Sequence, residues 1–195
     1  MTTTRDRIVD AAADLFRLHG YAGTGMKQVV AAAGAPFGSV YHFFPGGKQE
    51  LAVAALERAG IFYGDLVLAI VDSEDDIVAG TRAMFDGAAD VLVDTGYADA
   101  CPIATVGLEV ASTNDELRAA CERVFAGWIE VLAGRIVDGG APPAAARSAA
   151  IAVIALLEGA FLLSRTARTT EAMRATGAAA VATVAAAVGR PVPAT

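Results

Sequence analysis

The chain has 195 residues, 55% of them hydrophobic and 19% charged, with a formal net charge of −7 and a sequence pI near 4.8. This length can bury a sizeable core as one or two domains, and recurrent alanine with few strand-length alternations predicts an all-α protein of about nine helices. Two widely separated cysteines, Cys101 and Cys121, exclude a disulfide framework; with His19 and His42 as the only histidines, the expectation is no metal and no cofactor.

The first helix is predicted from about Thr4 to His19, with Ile8, Ala12, Leu15 and Phe16 as its apolar stripe and Gly20 as its end. Thr24 then stands just before a second helix, where its hydroxyl can cap the helix or reach a phosphate. That helix, Met26 to Ala33, aligns Met26, Val29, Val30 and Ala33 on one face and stops at Gly34, a residue suited to the left-handed end of a helix. Pro36 opens a third helix to Phe44. Val40 and Phe43 or Phe44 face inward, leaving Gly38, Ser39, Tyr41 and His42 outside.

The stretch Thr24–Leu51 is therefore read as a helix-turn-helix that grips double-stranded DNA. Gly38 and Ser39 allow close approach to base edges, Tyr41 and His42 suit phosphate oxygens, and Phe37 can touch a thymine methyl or pack on a neighbouring helix. Lys48 begins the next helix with its charge and dipole aimed at the DNA backbone. With Thr24 and Lys27, these residues make up the candidate DNA contacts. Residues 1–50 carry five basic and four acidic side chains, a local charge of +1, so the rest of the chain holds the acidity. Modest non-specific DNA affinity follows.

Gly20-Tyr21, Thr24, Ala33-Gly34, Gly38-Ser39, Tyr41-His42-Phe43-Phe44-Pro45 and Lys48-Gln49-Glu50-Leu51 together resemble the signature of TetR-family transcriptional regulators. The Gly-Gly-Lys ending resembles the LmrA/YxaF-like branch. Ala35 and Phe37 depart from the polar cap and basic residue the family often has there. The resemblance implies a ligand-responsive regulator, usually a repressor, that binds a palindromic operator as a homodimer and is released by a small effector.

Lys48 to about Val71 is predicted as a long helix leaving the DNA-binding domain (1–47) for a helical ligand-binding and dimerisation domain (48–190), with a flexible tail over 191–195. Ser73 before Glu74-Asp75-Asp76 is expected to cap a helix reaching Asp94, and Cys101-Pro102 opens a short helix to about Ala111. Thr113 and Glu116 form a capping box for a helix that ends at Gly139-Gly140. Pro142-Pro143 and Thr170 begin the last two helices, Ala144 to Arg168 and Glu171 to Val188.

These last two helices are apolar on more than one face, so each needs more than one neighbour, and a homodimer interface is expected here through Ile151, Ala155, Leu162, Ala180 and Val184. The family's pocket lies among the helices between the DNA domain and the dimer interface. That placement implies Phe62, Phe85, Cys101, Phe125, Trp128, Leu132, Glu158 and Phe161 as effector-binding candidates. Phe125 and Trp128 can equally be core, Cys101 a small buried hydrophobe, and Glu158 a partner of Arg165 or an edge residue. The start of the chain lacks a charged and apolar leader, and Ala175–Gly189 is shorter than the roughly 20 residues of a membrane span, so a cytoplasmic protein without a membrane partner is expected. The competing class is a helical small-molecule-binding protein or enzyme whose N-terminal motif is only structural. No catalytic residues can be assembled for it, since both histidines lie near the DNA motif.

Overall fold

The structure, a computed structural model, describes residues 2–191. Among the described residues all regular structure is helical: α1 (Thr4–Gly23), α2 (Met26–Ala32), α3 (Phe37–Phe43), α4 (Lys48–Asp72), α5 (Ile77–Asp94), α6 (Pro102–Val110), α7 (Asp115–Asp138), α8 (Pro143–Ala167) and α9 (Glu171–Ala187). The chain forms two compact units, one from the residues up to Tyr63 with Ala100–Phe125, the other from Gly64–Asp99 with the chain from Ala126 onward. The first unit thus contains α6 and the leading parts of α4 and α7 in addition to the three helices of the N-terminal motif. Of the tail expected over 191–195, residues 192–195 lie outside the described residues.

In the first unit α1 is locked at its start by a reciprocal cap: Asp6 N–H donates to the Thr3 hydroxyl and Thr3 N–H to the Asp6 carboxylate, both at 3.1 Å. Ile8, Ala12 and Phe16 are buried along the predicted stripe, and Val29, Val30, Val40 and Phe44 meet them from α2 and from α3 and its C-cap. Of the two inward candidates at the end of α3, Phe44 is enclosed and Phe43 only half-buried. Gly20 has φ +71°, which breaks the helix there although one further turn follows to Gly23. Gly34, at φ +57°, closes α2 by letting Ala35 N–H reach the Val30 carbonyl at 3.0 Å.

The second unit is built on α5, α8, α9 and the last part of α7. Met84, Phe85, Leu92, Leu132, Ile136, Val153, Leu157, Met173, Ala180, Val181 and Val184 form its core. At Gly177 an added Cβ would stand 2.9 Å from the Phe85 Cβ, so the missing side chain is what lets α9 approach α5. Phe85→Ala is expected to lower stability by about 3–5 kcal/mol, because the cavity it leaves lies inside this packed layer. Urea unfolding followed by circular dichroism checks it.

Several helix starts differ from expectation because long-range geometry chooses among nearby capping side chains. α5 begins at Ile77, three residues late, and its cap is Asp76, whose carboxylate accepts from Val78 and Ala79 N–H at 2.9 and 3.0 Å. Ser73 instead donates to the Ile70 carbonyl at the end of α4. Asn114, not Thr113, caps α7 by accepting from Leu117 N–H at 3.0 Å. For α9 the receiving oxygens are Ser164, accepting from Met173 N–H, and Thr169, accepting from Glu171 N–H; Thr170 makes no cap.

The Asp76 cap carries a pH signature. The Ala79 N–H, the Arg190 guanidinium and the Val78 N–H hold its carboxyl below the ordinary value of 3.8. A carboxyl with a depressed folded-state pKa contributes stability above its unfolded value and loses it as pH falls through the folded one. Asp76→Ala is therefore expected to cost ~1 kcal/mol near neutrality. In urea titrations at a series of pH values, that gap from the wild type should close below about pH 4.

The expected dimer residues divide. Ala180 and Val184 are fully enclosed in the unit's own core and have no surface to offer a second copy, so they are removed from the candidate interface. Ile151, Ala155 and Leu162 are exposed on one side of α8, with Leu163 beside them. On α9 the exposed positions are Glu171, Arg174, Ala175, Ala178, Ala179 and Ala186. By length and composition α8 is apolar enough to cross a membrane. Within this unit its other side packs on α5 and α9, with Ala149, Val153, Leu157 and Ala160 buried.

Candidate nucleic-acid interface

The outward face of α3 is set by what its inward face must do. Val40 and Phe44 anchor the helix in the first unit, and a rigid seven-residue rod then leaves Phe37, Gly38, Tyr41 and His42 exposed. Phe37 and Tyr41, one turn apart, are 45% and 50% exposed and pack edge to face with ring centres 5.7 Å apart. Phe37 thus packs against Tyr41 on its own helix and keeps close to half its surface exposed. A Cβ at Gly38 would meet nothing within 4 Å, so this position lies open. Ser39 is half-buried, and His42 rests edge-on against Phe43 at 5.0 Å. Lys27 is exposed on α2.

Lys48 is held as well as charged. Its ammonium lies 4.3 Å from the centre of the Tyr21 ring, within cation–π range. Burial lowers its pKa from the ordinary 10.5, and the charge of Glu109 opposes that shift. Thr24 departs from expectation. It is buried, and its hydroxyl donates to the Gly20 carbonyl at 2.8 Å and the Leu15 carbonyl at 3.2 Å. It therefore fastens the turn between α1 and α2 and neither caps α2 nor presents an oxygen to a phosphate. The cap of α2 is Gly25, whose N–H donates to the Gln28 side chain at 2.6 Å.

Two acidic side chains of residues 1–50 are paired with a cation from outside that stretch. Arg58, on α4, pairs with Asp6 at 3.4 Å and Asp10 at 2.9 Å, and the Glu50 carboxylate accepts from Gly46 N–H at 2.7 Å. The Glu50 bond is to a neutral amide and leaves its charge in place. The sequence hid the ion pairing because Arg58 lies a long way along the chain from the helix it neutralises. Tyr21, Glu109 and Asn114 were missed for the same reason: each contributes through a partner distant in sequence.

The candidate effector residues fall in both units. Phe62, Cys101 and Phe125 belong to the first unit; Phe62 is 62% exposed and stacks edge-on with Tyr63, and the Cys101 sulfur accepts from Ala104 N–H at 3.4 Å. Phe85 and Leu132 are core of the second unit, and Phe161 packs against that core. Phe85 and Leu132 are enclosed there, 2% and 4% exposed. Trp128 and Glu158 are half-buried, with the Trp128 indole nitrogen 3.1 Å from where a Gly64 Cβ would stand. Arg165, the expected partner of Glu158, donates to the Tyr97 carbonyl at 3.4 Å. A surface cavity of about 360 Å³ is lined by Asp76, Val78, Ala79, Arg82, Arg190 and Pro191, none of them expected.

This geometry has known counterparts. Residues 8–55 match the family model described as bacterial regulatory proteins, tetR family, and residues 78–179 that of the transcriptional regulator LmrA/YxaF-like C-terminal domain. The chain is 32% identical over 163 residues to the HTH-type transcriptional regulator YxaF of Bacillus subtilis, covering 84% of this chain and 85% of that one. It is 31% identical over 165 residues to LmrA of the same organism, covering 85% and 88%. The fold superposes on reduced NemR of Escherichia coli with a TM-score of 0.80 at 23% identity, covering 98% and 99% of the two chains. The relatives are regulators, not enzymes, which sets the enzymatic reading aside. The chain belongs to the TetR family of bacterial transcriptional regulators, in its LmrA/YxaF-like branch.

Proposed function

We propose that this regulator is a repressor that acts in the cytoplasm as a homodimer on a palindromic operator and is released by a small, largely apolar effector. The observation that carries the DNA contact is the α3 face, where Phe37, Tyr41 and His42 are exposed around the open Gly38 while Val40 and Phe44 anchor the helix from behind. Recognition helices read base edges in the major groove, and a two-fold dimer presents two of them to half-sites one helical turn apart. Support for the dimer is the exposed apolar side of α8, with Ile151 45%, Leu162 54% and Leu163 55% exposed. Support for repression is the similarity to NemR of Escherichia coli, a transcriptional repressor 24% identical over 137 residues.

The effector's binding region is proposed around Trp128, Glu158 and Phe161 of the second unit. Such a ligand changes DNA binding only through different affinities for two conformations. The DNA-binding domain is taken as residues 1–47, with α4 carrying motion onward. Genome-wide capture of bound DNA by the full-length protein tests the reading. An enriched inverted repeat supports it, and recovery of no common sequence would sink it.

A further inference from the structure

The corner between α6 and α7 holds the DNA-binding motif at both of its ends. At the leading end, the Glu109 carboxylate of α6 accepts from Ala22 N–H at 2.8 Å. Ala22 belongs to the turn that restarts after the Gly20 break, where N–H groups lack the carbonyls of a preceding turn. The carboxylate lies so close over Gly20 that an added Cβ would stand 1.7 Å from its Oε1. The same turn carries Tyr21, whose ring seats Lys48, and is tied to Thr24 through the Gly20 carbonyl.

At the trailing end, Asn114 Nδ2 donates to Gln49 Oε1 at 2.8 Å, and the Gln49 amide nitrogen donates to the Glu116 carboxylate. Gln49 adjoins Lys48 at the start of α4, directly after the recognition helix. Glu109 and Asn114 are five residues apart, yet they hold Gly20–Ala22 and Gln49, the two points between which α2 and α3 are strung. Each bond is a side chain placed on a motif end by an element outside the motif.

Building on the DNA-binding reading above, we propose that Glu109 and Asn114 are positioning residues for operator recognition, forming a clamp through which any shift of the α6–α7 corner changes the pose of α2, α3 and Lys48. The physical effect is preorganisation: a motif held at both ends loses less conformational freedom on binding. The two side chains need not touch DNA.

The test uses full-length protein and the duplex that the wild type enriches from a randomised pool, with an unrelated duplex for comparison, by fluorescence anisotropy. Two substitutions separate pinning from folding. Glu109→Gln keeps an oxygen for Ala22 N–H, whereas Glu109→Ala does not. Asn114→Asp keeps the oxygen that caps α7 and loses the amide that donates to Gln49. Glu109→Ala and Asn114→Asp are each expected to weaken binding to the enriched duplex about tenfold, as loss of a modest hydrogen bond in both protomers would. Affinity for the unrelated duplex should stay level or tighten, and the thermal midpoint should stay within about 4 °C. Glu109→Gln should recover most of the loss. If Glu109→Ala and Asn114→Asp both hold the enriched duplex within twofold of the wild type while Tyr41→Ala releases it, the clamp is wrong and the DNA-binding reading stands. If the wild type enriches nothing, that reading has failed first.

Discussion

Tyr41→Ala is expected to weaken operator binding by 2 kcal/mol or more, roughly thirtyfold or greater, since a contact of about 1–3 kcal/mol is lost from each of two half-sites. Tyr41 is the largest exposed side chain of the recognition helix and also supports Phe37 edge to face, so its removal frees both rings from their arrangement. Lys48→Ala should act differently. It removes a cation fixed over Tyr21, so affinity should fall across all sequences and the slope of log affinity against log salt should shrink by about one per protomer. Salt-series anisotropy titrations distinguish the two. Neither substitution touches the core of the first unit beyond the Tyr21 face, so circular dichroism and sedimentation should match the wild type. DNA binding that survives both changes would move the interface elsewhere.

Which parts could be read from the chain follows from how far each determinant reaches. The stripe Ile8, Ala12, Phe16, the stop at Gly34 and the inward Val40 are local: periodicity and left-handed backbone need only neighbouring residues, and the structure has them where expected. Caps were less legible, because Ser73 and Asp76, or Thr113 and Asn114, are equally good local candidates and tertiary packing chooses between them. Thr24 shows the same limit, since a hydroxyl that can point to solvent turns inward once Leu15 and Gly20 offer carbonyls. The polar ties Glu109–Ala22, Asn114–Gln49 and Arg58–Asp10 span 48 to 87 positions and leave no periodic trace. An alanine-rich helix such as α9 hides which face is core, because alanine is tolerated on both; Ala180 and Val184 look inward whereas Ala179 looks out.

The second large effect is expected at that outward surface. Leu162 lies on the exposed side of α8, in line with Ile151 and Ala155, and burying a leucine stabilises by about 1.5–3 kcal/mol. In a two-fold interface the same residue enters from both copies, so Leu162→Glu removes that contribution twice and brings two carboxylates into an apolar seam. The dimer is expected to dissociate, read as a halved mass by sedimentation, while each protomer stays folded because position 162 is not part of its core. Operator affinity should then fall by a further 10²–10⁴, since the second recognition helix no longer arrives at the effective concentration set by its partner. Ala180→Glu offers the contrast: the residue is fully enclosed, so the substitution should unfold the second unit and not merely separate two copies. A Leu162→Glu protein that remained dimeric and bound its operator normally would place the interface on a different face. Given the thin positive charge around α3, loss of DNA binding on dissociation would mean that recognition depends on pairing two modest half-site contacts more than on the strength of either.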